Sequence, residues 1–166
     1  MTRLHRYQLL ALIGLFGPFA AGRASAAAPP RMAVIVGASA PQLALDRDTL
    51  RNIYLEKIFV DKEGRRLIPV NLPPETPLRE AFTQMLIRMP GNRLQDYWDR
   101  QYFQGVSPPY VLGSQQAVVR FVASTPGAIG YVSTCFLTPE VHVALWLPLP
   151  AGSGASTDAC PESPEH

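Results

Sequence analysis

Thr125-Pro126-Gly127-Ala128-Ile129-Gly130-Tyr131-Val132 reads as a tight turn running into a strand. The Pro-Gly pair breaks whatever precedes it. Residues 128–132 then form a compact apolar run with the β-branched Ile129 and Val132 and the aromatic Tyr131, the signature of an interior strand. Gly130 at its centre predicts that another backbone approaches closely there. Upstream, Ser114 is placed as the N-cap of a helix whose apolar face is Val118, Phe121 and Val122.

Working outward, residues 32–36 are a β-branched run and predict a strand. An extended, proline-containing connection over 38–45 leads to Asp46, an N-cap with Thr49 three residues on. Leu50, Ile53 and Tyr54 then repeat at helical spacing. Residues 58–60 and 66–70 read as extended, separated by the polar turn Asp61-Lys62-Glu63-Gly64. Thr76-Pro77 is a helix start, a hydroxyl cap followed by proline at the first helical position. Leu78, Phe82, Met85, Leu86 and Met89 make one stripe, which Pro90-Gly91 ends. Asn92 is the expected cap of the next helix, with Leu94, Tyr97 and Trp98 facing inward. Residues 104–109 are a Gly/Pro loop, and 141–147 a last β-rich run. Strands alternate with helices, so the expected class is α/β, a small mixed sheet covered by helices.

The first 26 residues form a targeting segment. Arg3 and Arg6 precede an apolar stretch over 9–16, and Ala24-Ser25-Ala26 places small residues at the −3 and −1 positions of a cleavage site. The apolar stretch is too short to cross about 30 Å of hydrocarbon. Residues 1–26 are therefore read as a signal peptide, 32–149 as the folded domain and 150–166 as a flexible tail. Of the 15 basic residues in the chain, Arg3, Arg6 and Arg23 leave with the leader. That leaves 12 against 13 acidic residues, a formal −1. Such a balance excludes a nucleic-acid protein held by bulk charge. With 166 residues, 47% of them apolar, there is enough chain for one core.

Cys135 and Cys160 are the two cysteines. In an oxidising compartment two cysteines often pair. Two readings stand: a bridge stapling the tail to the domain, or a buried thiol and a separate tail thiol. The sequence contains no G-x-S-x-G, H-E-x-x-H, C-x-x-C or phosphate-loop pattern, so no enzyme is expected, and neither catalytic residues, metal nor cofactor are assigned. His142 reads as a solvent-facing strand residue, and Asp96 and Asp99 as surface partners of Arg93 and Arg100. The cluster Tyr97, Trp98, Tyr102 and Phe103 has two readings, a platform that stacks a ligand or, as is more common at helical spacing, core. One arrangement suits an anion: the loop that runs into the helix at Thr76, with Arg79 in its first turn, because free N–H groups and a guanidinium attract negative charge. Ser114 opens a second helix in the same way. The competing reading is structural, with Thr76 only capping and Arg79 paired with an acid.

Three segments together resemble the phosphate-type, type II periplasmic substrate-binding proteins of ABC importers, in particular a short PBP-like group. Leu50-Arg51-Asn52-Ile53-Tyr54-Leu55-Glu56-Lys57-Ile58 resembles their L-x-x-I-F-x-G-K-I segment. Ile68-Pro69-Val70-Asn71 followed by Thr76-Pro77-Leu78-Arg79-Glu80-Ala81-Phe82 is similar to their strand, loop and helix, and the opening stretch to their PGAIGYV strand. The resemblance implies one lobe of the two-lobed fold, export to the periplasm, and binding of a small anion such as phosphate in transport or sensing. It implies a membrane transporter or sensor partner and, where tight binding is needed, a homodimer or a partner chain supplying the second lobe. The alternative it implies is an interaction module that keeps the fold without a ligand. The candidate ligand residues are Thr76, Arg79 and Ser114. The phosphate loop of the family, R-x-x-x-S-G-T, is not reproduced: Asn71 stands at the arginine position and Glu75 would repel phosphate.

Overall fold

The structure, a computed structural model, describes residues 31–41, 43 and 45–149. The expected signal peptide, the tail and Cys160 lie outside the described residues.

The elements follow in the order β1 (Arg31–Gly37), α1 (Arg47–Tyr54), β2 (Ile68–Asn71), α2 (Pro77–Phe82), α3 (Gly91–Tyr102), β3 (Tyr110–Val111), α4 (Gln115–Ser124), β4 (Ala128–Ser133) and β5 (Val141–Pro148). A π-helical turn, Thr83–Ile87, prolongs α2, and a 3₁₀ turn, Thr134–Phe136, follows β4. The five strands form one sheet in the order β3-β2-β4-β1-β5. β2 runs parallel to β3 and β4, whereas β1 is antiparallel to both β4 and β5. All strands but β1 therefore point the same way. This is an α/β fold with a small mixed sheet covered by helices.

β4 sits where its sequence placed it, between β2 and β1, with every residue buried. It pairs with β1 from Ser133 opposite Met32 to Ile129 opposite Val36. Gly130 is needed because α4 lies across it. A Cβ there would stand 2.4 Å from Val118 Cγ1 and 3.1 Å from Val122 Cγ2. The close approach is made by helix side chains, not by the backbone the sequence suggested.

Two caps follow the local code. Asp46 Oδ1 accepts from Thr49 N at 2.7 Å, and Ser114 Oγ from Ala117 N at 3.1 Å. Other expectations need correction. α3 starts at Gly91 after Pro90, and Asn92 does not cap it; its Oδ1 accepts from the adjacent Arg93 N. The stripe after Thr76 is rephased by the π turn, which adds a residue to the helical period. Leu86 and Ile87 are buried, whereas Met85 and Met89 are only half-buried. Tyr102 and Phe103 are not core: Phe103 is 88% exposed, because α3 ends there and the chain leaves the sheet. Asp96 and Asp99 form no ion pair with Arg93 or Arg100, and Asp99 accepts from Gln95 Nε2 instead. His142 is half-buried rather than solvent-facing. Residues 58–60 contribute a single antiparallel bridge, Val60 to Arg66, not a strand.

Candidate anion site at the carboxyl edge of the sheet

From β2 the chain travels to β3 on one side, and from β3 it returns to β4 on the other. The carboxyl ends of β2 and β4 thus flank a topological switch point, where α/β sheets open a crevice. Asn71 ends β2 there, and Tyr131 lies toward the end of β4.

A buried polar network fills this point. Tyr131 Oη donates to Asn71 Oδ1 at 3.3 Å, and Leu72 N donates to Tyr131 Oη at 3.3 Å. Tyr54 Oη donates to Val70 O at 3.0 Å, with Ile129 O at 3.2 Å as second acceptor. Both rings are fixed by Phe82. Its ring stacks on Tyr131 with centroids 3.9 Å apart and meets Tyr54 edge-on at 4.6 Å. The phenols are interior groups that must find partners, and they find them on the two strands they join.

Arg79, the third residue of α2, brings its guanidinium to this network. Its Nη1 is buried and has no hydrogen-bond partner. Among the described residues the ion pairs are those of Arg65 with Asp61 and Glu63, so no carboxylate there neutralises Arg79. Burial pushes the Tyr131 hydroxyl up to about 12, a shift that the Arg79 charge beside it partly opposes. Burial also pushes the Tyr54 hydroxyl well above its ordinary value. A small cavity of about 10 Å³ lies among Tyr54, Asn71, Arg79, Phe82 and Trp98.

The three candidate residues share the same edge in different states. Thr76 precedes α2 but its hydroxyl makes no cap bond; it donates to Pro73 O at 2.7 Å within the turn that leads in. Ser114 follows two residues after Leu112, whose N donates to Asn71 O at 2.8 Å, and its hydroxyl is engaged as the cap of α4. Arg79 is the one with a donor atom, Nη1, left without a partner, although its side chain also hydrogen-bonds to Tyr131. Sequence reasoning missed Tyr131 and Tyr54 as polar members. The available signal was a tyrosine inside an otherwise apolar interior strand, whose hydroxyl needs a partner.

The buried tyrosines predict an alkaline transition. Their folded values lie above the unfolded value of about 10, so stability is intact below pH 10 and declines as pH rises toward 12. The Tyr131 shift alone corresponds to about 3 kcal/mol at the end of that range. Urea midpoints measured across it should fall steeply, and less so in Tyr131→Phe. An equal fall in both proteins would show that Tyr131 is not the group responsible.

A roomier cavity, about 570 Å³, opens at the opposite edge between the end of α4 and the loop carrying Asp61 and Arg65. It is mostly aliphatic, and Arg65 is already paired. Among the described residues no cluster of His, Cys, Asp or Glu could hold a metal ion, and no helix is long and apolar enough to cross a membrane.

No family model and no curated protein matches the chain. Solved structures do. A phosphate ABC transporter substrate-binding protein from Clostridium perfringens, crystallised with bound phosphate, superposes with a TM-score of 0.56 at 19% identity over 69% of this chain and 44% of its own. An ABC-type phosphate transport receptor from Vibrio cholerae gives 0.56 and 19% over 69% and 45%. PstS from Borrelia burgdorferi gives 0.50 and 15% over 64% and 42%. The fold is similar to a part of these proteins, which have the type II periplasmic-binding-protein fold. The chain spans less than half the length of each of these proteins. At this identity the likeness concerns the fold and not its ligand.

Proposed function

We propose that the protein is an exported, solute-binding-like lobe that takes phosphate or another oxyanion at the carboxyl edge of its sheet, in transport or sensing beside a membrane partner. The observation that carries this reading is the buried, unpartnered Nη1 of Arg79 at the switch point, with no carboxylate paired to it among the described residues. Arg79 is half-buried, but its Nη1 is shut off from solvent without an acceptor; a donor left so is costly, and an anion drawn from solution would satisfy it. Thr76 and Ser114 mark the helix starts on the same edge, and their neighbouring N–H groups add positive potential. The neighbours carry phosphate-binding names, which agrees with this choice of ligand class.

A tetrahedral anion is larger than the 10 Å³ space beside Arg79. Leu94 and Trp98 of α3 close that space, and α3 buries none of its residues fully. A weakly anchored helix opens at low cost, so access is by displacement of α3. Opening and water contact limit the affinity to the millimolar range, about −4 kcal/mol.

Isothermal titration with phosphate and with sulfate tests this. Binding should be weak, sensitive to salt and at least tenfold weaker in Arg79→Gln, with circular dichroism unchanged. Micromolar binding by a monomer, or binding that Arg79→Gln leaves intact, overturns the assignment. The tightness of the cavity favours a second reading, an interaction module that keeps the fold without a small ligand. The absence of heat with any anion would select it.

A further inference from the structure

The roomier cavity, about 570 Å³, lies where β2 and β4 begin, at the edge of the sheet opposite Arg79. Its volume is that of a small-molecule pocket, commonly about 300–1,000 Å³. We propose that it is a second binding site, which takes a monocarboxylate with an elongated apolar body.

The floor calls for the apolar body. Ala128 and Ile129 open β4, Leu67 stands just ahead of β2, Val36 pairs with Ile129 from β1, and Val122 comes from α4. All five are aliphatic core residues. None has a polar side-chain atom, so a polar body would lose its water there without replacement.

The two walls differ in sign. On the β2 side stand Arg65 and Arg66. The Asp61 side chain, 5% exposed, accepts from Glu63 N, from Arg65 N and from Arg65 Nε at 2.6 Å. The turn that carries the arginines is therefore fixed before any ligand arrives. Arg65 spends Nε on Asp61 and Nη2 on Glu63, whereas the exposed Arg66 forms no ion pair among the described residues. Burial pushes the Glu56 carboxyl up and Arg66 opposes that shift, yet the two stand beyond ion-pair distance. Arg66 thus has its guanidinium to give to a carboxylate, the planar anion its fork fits.

Across β4, two strand spacings or roughly 10 Å away, α4 ends against β1. A Cβ on Gly37 would stand 3.0 Å from Val122 O and 3.8 Å from Ala123 O, so last-turn carbonyls sit at this wall. No basic residue in that turn offsets the negative end of the helix. An anion is repelled there and held at Arg66, with its apolar body lying across the start of β4 toward α4. A small oxyanion at Arg66 would leave the aliphatic floor in water, so the ligand class differs from the one proposed beside Arg79.

The test titrates octanoate, butyrate and octylammonium into the full chain, below the concentrations at which they aggregate, and follows methyl resonances. Octanoate should shift the methyls of Ala128 and Val122 and leave those of Val119, which lines no part of this cavity, in place. Butyrate, with its shorter body, should bind at least about tenfold more weakly. Octylammonium, the same body with the opposite charge, should also bind at least about tenfold more weakly. Arg66→Gln should weaken octanoate about tenfold, as loss of a hydrogen bond between charged groups does. Arg79→Gln should leave octanoate binding unchanged, which separates this site from the first. Unmoved Ala128 and Val122 methyls overturn the site. Octylammonium or butyrate binding as tightly as octanoate, or octanoate binding that Arg66→Gln leaves intact, overturns the ligand class.

Discussion

Gly127→Ala should unfold much of the protein, at a cost above about 4 kcal/mol, the upper end of what single substitutions do. Gly127 has φ 81°, so any other residue pays roughly 1–2 kcal/mol for the left-handed backbone. The larger part is steric. A Cβ there would stand 2.0 Å from Arg66 O and 3.2 Å from Arg66 C, which is main chain and cannot rotate away. The contact sits where β2 and β4 begin to pair: Ile68 N donates to Gly127 O at 2.8 Å, and Ile68 lies opposite Ala128. Relief requires the two strands to part. Gly64 supplies the control, since its φ is 78° and a Cβ there meets nothing within 4 Å. Gly64→Ala should cost only the backbone strain. Equal losses in the two variants, read from urea unfolding, would show that the Arg66 contact carries no weight.

That glycine belongs to the stretch from which the fold was read, and the reason it was legible is local. A turn signal, a run of interior residues and a cap such as Asp46 with Thr49 are all settled within a few positions of chain. The short β3 was not foreseen, because two exposed residues carry no period and gain strand geometry only from pairing with Val70 and Asn71. The π turn after Phe82 was not foreseen either; Arg51 Nε donating to Ile87 O at 3.0 Å ties its end to α1, a contact across 36 positions. The site divides in the same way. Thr76 and Ser114 were visible as helix starts. The network around Arg79 was not, because Tyr131 and Asn71 are 60 positions apart and meet only when β2 and β4 are side by side. Whether Arg79 had an acid partner was likewise a question of tertiary structure, and the described residues answer it with none.

Phe82→Ala should cost about 3–5 kcal/mol and should loosen the candidate site as well. The ring is 1% exposed and lies between Tyr131 and Tyr54. Aromatic pairs contribute about 0.5–1.5 kcal/mol beyond their buried area, so the loss should fall in the upper half of that range. The space left adjoins the cavity beside Arg79, which Phe82 helps to line. Tyr131 would then lose the face that holds its hydroxyl on Asn71 Oδ1 and Leu72 N, and the end of β2 would lose its register against β4. Phe82→Leu keeps most of the volume but not the stacking and should cost below about 2 kcal/mol. The near-ultraviolet circular dichroism of the tyrosines should weaken in both variants, and more in the alanine. A loss below about 0.5 kcal/mol for Phe82→Ala would place the ring at the surface. A large loss with an unchanged tyrosine signal would separate core packing from the network, and Arg79 would then be held by α2 alone.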